Sequence, residues 1–253
     1  MRLHVVTGSA RCPGHPLSCL LIDDRVAVDA GALGWFAPPE TQALVQHVLL
    51  THSHIDHTAG LPIFLDNVYG LSAEIPTVYG TAATLDVLQA HVFNNHLMPD
   101  FVDLSKTMSP FLRLHPIAVG VPFAFDHYTV TAFAVDHTVP TVAYLIDDGH
   151  VAVAVVTDTA PVPELLTTLM KLPRLKAVCL EVSFPNSQAA LAAITKHHTT
   201  QQFLDAIAMV PANVQVLAIH IKPRYYTEVC REIQVANRPN IRIAEPGLVV
   251  ELR

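Results

Sequence analysis

Apolar residues recur along the chain in short runs, most of them closed by Asp, Gly, Pro or His. Leu3–Thr7, Cys19–Ile22 and Val26–Asp29 read as short strands, the last two separated by Asp23-Asp24. Val45–Thr51 is an apolar, β-branched run that stops at a histidine cluster, and helical periodicity follows over Leu61–Tyr69 and Thr84–Phe93. Tyr128–Val135 alternates as a strand does. Val142–Ile146 and Val151–Thr157 flank Asp148-Gly149, a hairpin signal. The last third predicts helix over Glu164–Lys171, strand over Ala177–Val182, helices over Ala189–Thr195 and Gln201–Ala208, strand over Val214–Ile219, then short strands to the end. Strands come in two blocks, each followed by helices, and two sheets with helices outside are the layered solution. No repeat, linker or low-complexity stretch divides residues 1–253, which read as one domain.

Charge narrows the functions. Lys+Arg 15 against Asp+Glu 22 gives a net charge of −7, the wrong sign for a general binder of nucleic acid or anionic membrane. A small anionic substrate stays open, because bound metal ions add positive charge. The longest stretch free of charged residues, Ala206–Ile221, contains Pro211, Asn213, Gln215 and His220, too polar for a membrane span. Met1–Val6 starts no long apolar signal region, so the expected location is the cytoplasm. Cys12, Cys19, Cys179 and Cys230 form no C-x-x-C pair and read as free thiols. With 51% apolar and 15% charged residues, a homodimer interface is an expectation.

The unusual count is His 15, and position explains part of it. Thr51-His52-Ser53-His54-Ile55-Asp56-His57 follows an apolar strand, where a loop can aim several side chains at one point. His52 and His54, two apart in extended chain, face the same way and can chelate one metal; Asp56 and His57 can serve a second. His137, Asp158 and His220 each close another apolar run, and a carboxylate at Asp158 can bridge two ions. Imidazole and carboxylate donors suit Zn²⁺, and also Mn²⁺ or Fe.

His52-x-His54-x-Asp56-His57 with His137, Asp158 and His220 resembles the metallo-β-lactamase superfamily over nearly the whole chain. The resemblance implies a four-layer αββα sandwich of the α/β class with two divalent metal ions at one edge. It assigns His52, His54 and His137 to one metal, Asp56, His57 and His220 to the other, and Asp158 to both.

Secondary motifs choose among the branches. Leu180-Glu181-Val182-Ser183-Phe184-Pro185-Asn186, His198-Thr199-Thr200, His220-Ile221-Lys222-Pro223, Phe93-Asn94-Asn95 and Pro99-Asp100-Phe101 are similar to class II 3′,5′-cyclic-nucleotide phosphodiesterases. The segment from His137 to Tyr144 and the His198-Thr-Thr element also resemble ribonuclease Z. The sequence departs from the cyclic-nucleotide pattern at Met98, where a Trp is usual, and at His197, where a small residue is usual. No long Gly/Pro and basic insertion exists to form the tRNA-gripping arm of ribonuclease Z. The resemblance therefore implies hydrolysis of cAMP or cGMP to the 5′-monophosphate, with a ribonuclease Z-like activity on RNA ends as the alternative. A lactonase or lactamase would leave His198 without a use, and a metal-dependent nucleotide sensor is the non-enzymatic alternative.

The chemistry assigns further roles. Two metals about 3.5–4 Å apart lower the pKa of a shared water and clamp the phosphoryl oxygens. Asp56 and Asp158 would orient that water. A general acid for the leaving alkoxide is worth ~10²–10⁴-fold, and His198, favoured over His197 by the register of the threonines, is the candidate. Phe93 and Phe101 would stack on the base and Asn94 would read its edge. Glu181 and Ser183 would hold the ligands in place.

Overall fold

In the computed structural model, which describes residues 1–6, 17–72, 74–107 and 110–253, the short apolar runs pair into two sheets. The first holds β1 (Arg2–Val5), β2 (Leu20–Ile22), β3 (Val26–Val28), β4 (His47–Leu49), β5 (Thr77–Gly80) and β6 (Arg113–Pro116). The second holds β7 (Phe123–Phe125), β8 (Tyr128–Val135), β9 (Thr141–Asp147), β10 (Ala152–Val156), β11 (Leu175–Glu181), β12 (Gln215–Ile219) and β13 (Ile241–Ile243). The last strand, β14 (Val249–Glu251), returns to the first sheet beside β1. The orders are β14-β1-β2-β3-β4-β5-β6 and β13-β12-β11-β10-β9-β8-β7.

Helices lie between and after the strands: α1 (Pro39–Gln42), α2 (Ile55–Thr58), α3 (Leu61–Val68), α4 (Ala82–His91), α5 (Phe101–Thr107), α6 (Pro163–Leu169), α7 (Ala189–Thr195), α8 (Thr200–Ala206) and α9 (Tyr226–Val235). Three apolar layers hold the stack. Leu3, Val28, Val130, Tyr144, Val155 and Leu217 pack between the sheets. Leu33, Leu50, Phe64 and Leu85 join the outer face of the first sheet to α3 and α4, and Leu166, Val178, Phe203 and Val229 join the second to α6, α8 and α9. This is the expected αββα sandwich.

β10 is buried at every position, as a central strand covered on both faces must be, which is why Val151–Thr157 shows an unbroken apolar run. β8 and α7 fall where the sequence pattern puts them. The pattern is silent on β5, β6 and α9. β6 is an edge strand with mostly exposed side chains, and α9 buries only Val229 and Ile233, one narrow stripe in a polar segment. Thr7, at the end of the first predicted strand, and Cys12 lie outside the described residues.

Candidate metal centre

Strand direction gathers the candidate ligands. β3 and β4 are parallel, as are β10, β11 and β12; β8 runs with β10 because both are antiparallel to β9. Their carboxyl ends meet at one edge of the sandwich, the usual place for a site on α/β sheets. Asp29 follows β3, His52, His54, Asp56 and His57 follow β4, His137 follows β8, Asp158 follows β10 and His220 follows β12. Asp29, Asp158 and His220 take φ of 60°, 26° and 61°. Left-handed backbone at non-glycine residues costs on the order of 1–3 kcal/mol each and is characteristic of functional turns. The loop after β3 lies directly on α2. Gly31 makes this possible, since a Cβ there would stand 2.0 Å from the Asp56 carbonyl oxygen.

Two groups of donors result: His52, His54, His137 and Asp158, and Asp56, His57, Asp158 and His220, with ligand atoms in each within 4.8 Å of one another. Asp158 belongs to both through different oxygens. Its Oδ1 is 3.4 Å from His57 Nε2 and 3.2 Å from His220 Nε2. Its Oδ2 is 3.6 Å from His52 Nε2 and 3.7 Å from His137 Nε2. His54 Nδ1 faces His137 Nε2 at 3.3 Å, and Asp56 Oδ2 faces His220 Nε2 at 3.3 Å.

Hydrogen bonds behind the rings fix which nitrogen carries the lone pair. His57 Nδ1 donates to Asp29 Oδ2 at 2.6 Å, His52 Nδ1 to Thr51 Oγ1 at 3.0 Å, His137 Nδ1 to the Lys196 carbonyl at 3.2 Å and His220 Nδ1 to Ser183 Oγ at 3.0 Å. Every one of these rings therefore turns an unprotonated Nε2 to the centre when neutral. Asp29 is anchored in turn by the Thr51 amide at 2.8 Å and hydroxyl at 2.9 Å. His52 Nε2 and Asp158 Oδ1 are buried without a hydrogen-bond partner. Buried lone pairs of this kind are costly unless satisfied, and a divalent cation satisfies them. The donor set fits a metal.

Electrostatics agree. Burial, with the neighbouring histidines, lowers His52 to about 2, so the ring is neutral and ready to ligate. Burial opposes charge on Asp158, but His220 and His57 hold its carboxyl well below the usual range. Burial likewise opposes charge on His57, yet Asp158 and Asp29 raise it well above its ordinary value. A cation would therefore compete with a proton at His57.

The beta-lactamase superfamily domain matches residues 25–221, which spans both donor groups. The chain belongs to this superfamily. Its structural neighbours share the metallo-β-lactamase fold. Unliganded yeast PDE1 superposes with a TM-score of 0.79 at 17% identity, covering 99% of this chain and 98% of that one. The metallo-beta-lactamase fold protein YhfI from Bacillus subtilis gives 0.73 at 17% identity, covering 98% of each chain. Human tRNase Z, short form, gives 0.69 at 14% identity and covers all of both chains. No curated protein matches the chain.

Beside the superfamily's metal edge stands a hydrogen-bonded network. Glu181, wholly buried, takes His197 Nδ1 at 2.8 Å, the Ser183 hydroxyl at 2.8 Å and the Thr159 amide at 3.0 Å. The His197 ring lies 5.0 Å from that of His137 and 5.4 Å from that of His220, so it stands between the two donor groups. Glu181, His197 and His220 also approach one another closely enough to be a third donor group. Ser183 Oγ already bonds all three, so the cluster reads as a network that orients His220.

His198, expected as the proton donor, lies in the core. Its ring is fully buried, with Nδ1 3.9 Å from Glu181 Oε1 and no hydrogen-bond partner at either nitrogen. The segment is extended, bridging Phe184 to Thr199, so adjacent side chains point to opposite sides. His197 faces the His137 and His220 rings and His198 takes the core. Thr199 then caps α8 through a reciprocal capping box with Gln202, which locks the register.

Phe93 and Phe101, expected to stack on a base, are also buried. Phe93 and Phe101 are 1% and 3% exposed and pack on each other, with Phe111 stacked on Phe101 at 4.6 Å; neither face is free for a base. Asn94 spends its side chain on its own loop, accepting the His96 and Leu97 amides and donating to the Ala90 carbonyl. Sequence reasoning passed over Asp29, Thr51 and Lys196. Lys196, left-handed at the end of α7, binds Asp136 at 2.6 Å and the His137 carbonyl at 3.2 Å and so steadies the His137 loop. Among the described residues, Cys19, Cys179 and Cys230 are free thiols and no helix is long and apolar enough to cross a membrane.

Proposed function

We propose that the protein is a dinuclear-metal phosphodiesterase that hydrolyses 3′,5′-cyclic nucleotides to 5′-monophosphates. The observation that carries this reading is Asp158, whose two oxygens face different donor groups. When bound, a pair of divalent ions, zinc by the nature of the donors, supplies an activated water and neutralises the phosphoryl oxygens.

The chain's own residues do the rest. Asp56 and Asp158 orient the water with their carboxylate oxygens. His197, rather than His198, is the proton donor: Nδ1 is given to Glu181, leaving Nε2 as the nitrogen that serves the cleft. A proton passed from Nε2 to the departing 3′-oxygen completes cleavage of the P–O3′ bond. Glu181 favours the charged ring, because burial works against the charge and the carboxylate outweighs it.

The cyclic-nucleotide choice is supported by the sequence motifs around Glu181, His197 and His220, and the likeness to PDE1 agrees with it. A ribonuclease Z-like activity is the second reading, favoured by the likeness to tRNase Z and opposed by the net charge of −7. Cytoplasmic location and a homodimer belong to the same proposal. Incubation of the zinc- or manganese-loaded protein with cAMP, cGMP and bis(p-nitrophenyl) phosphate tests it. The expected products are 5′-AMP and 5′-GMP; turnover of the synthetic diester alone would move the substrate toward RNA ends.

A further inference from the structure

Lys222 is a cation whose partners among the described residues are both at long range. Its Nζ is 3.5 Å from His220 Nε2 and 3.6 Å from Asp56 Oδ2, both beyond a good hydrogen bond, and its side chain is 32% exposed. The two neighbouring atoms are donors of the second metal group, so once they bind an ion they have less to offer the ammonium. Other nearby cations are occupied: Lys196 binds Asp136, and Arg224 lies over the Tyr225 ring at 5.5 Å. The base of the Lys222 side chain is fixed on both sides. Its amide donates to the Ser183 carbonyl at 3.2 Å, its carbonyl accepts the Tyr225 amide at 2.9 Å, and Pro223 follows. A fixed stem, an ammonium paired only at long range with Asp56 and His220, and a position at the rim of the second donor group describe a group able to take an anion.

We propose that Lys222 is the anion-holding residue beside the second donor group, gripping a non-bridging oxygen of the phosphoryl group. The assignment rests on the phosphodiesterase reading for its substrate. It assigns to a side chain a charge that the metals alone would otherwise carry, and it places substrate affinity, rather than metal affinity, on Lys222.

The test uses inorganic phosphate as the probe. Calorimetric titration of phosphate into zinc-loaded wild type, Lys222→Met and Lys222→Arg protein is run beside metal analysis and kinetics on bis(p-nitrophenyl) phosphate. Lys222→Met is expected to bind phosphate about 10-fold or more weakly with its zinc content unchanged and KM raised, and Lys222→Arg to recover part of the affinity. Equal phosphate binding in Lys222→Met, no phosphate binding in wild type, or loss of zinc in Lys222→Met would each overturn the assignment, the last by making the lysine a countercharge for Asp56. Diester turnover with equal phosphate binding removes the lysine and keeps the phosphodiesterase reading. Phosphate binding that depends on Lys222 without turnover of any diester does the reverse.

Discussion

Asp29 takes the Nδ1 proton of His57 at 2.6 Å, with both side chains wholly buried. This bond turns His57 Nε2 toward Asp158 and makes the carboxylate part of the centre without touching an ion. In Asp29→Asn the charge that supports the ring is lost while the shape is kept. Zinc affinity, measured by competition with a chelator, is expected to fall about 10–100-fold. An unchanged affinity would reduce Asp29 to a turn residue.

His197 and His198 separate in the same way. His197→Ala is expected to keep both metals and lose about 10²–10⁴-fold in turnover, while His198→Leu stays within a few-fold of wild type. Since Glu181 raises His197 above its ordinary 6.5, turnover should decline on the alkaline side as pH rises through that raised value. Glu181→Gln should move the decline to lower pH. A pH profile identical in the two proteins would disconnect Glu181 from the proton donor.

Metal binding should release protons. His57 is raised in the metal-free centre because burial is outweighed by Asp158 and Asp29, so below its pKa a cation competes with a proton. Zinc affinity is therefore expected to rise with pH, and calorimetry in buffers of different ionisation enthalpy should show protons given up. Binding without proton release would mean that His57 is already neutral.

The aromatic cluster makes a contrasting prediction. Phe101→Ala removes a ring sandwiched between Phe93 and Phe111, and is expected to cost about 3–5 kcal/mol of stability by denaturant unfolding. KM for a cyclic nucleotide, measured on the folded fraction, should stay near the wild-type value. A large rise in KM with little loss of stability would return Phe101 to the substrate.

What the chain order reveals and conceals has a physical pattern here. His52, His54, Asp56 and His57 are visible because these candidate donors are neighbours in sequence and follow a strong apolar strand. His137, Asp158 and His220 are visible as polar stops at the ends of strands. Asp29 is concealed because its importance comes from parallel pairing of β3 with β4, which brings Thr51 to a carboxylate distant in sequence. His197 and His198 are confused by one residue because extended chain alternates its faces, and only the tertiary placement of Glu181 says which face is the cleft. Phe93 and Phe101 carry the composition of a base pocket, and Phe111, beyond α5, turns them into core.

The central claim is that Asp158 joins two metal ions in one hydrolytic centre. The direct measurement is zinc titration of the metal-stripped protein, following bound metal and bis(p-nitrophenyl) phosphate turnover together, in wild type and Asp158→Ala. Turnover should reach its maximum only near two equivalents of zinc, and Asp158→Ala should lose metal at one or both positions. Full activity at one equivalent, or two ions retained by Asp158→Ala, would contradict the bridged centre.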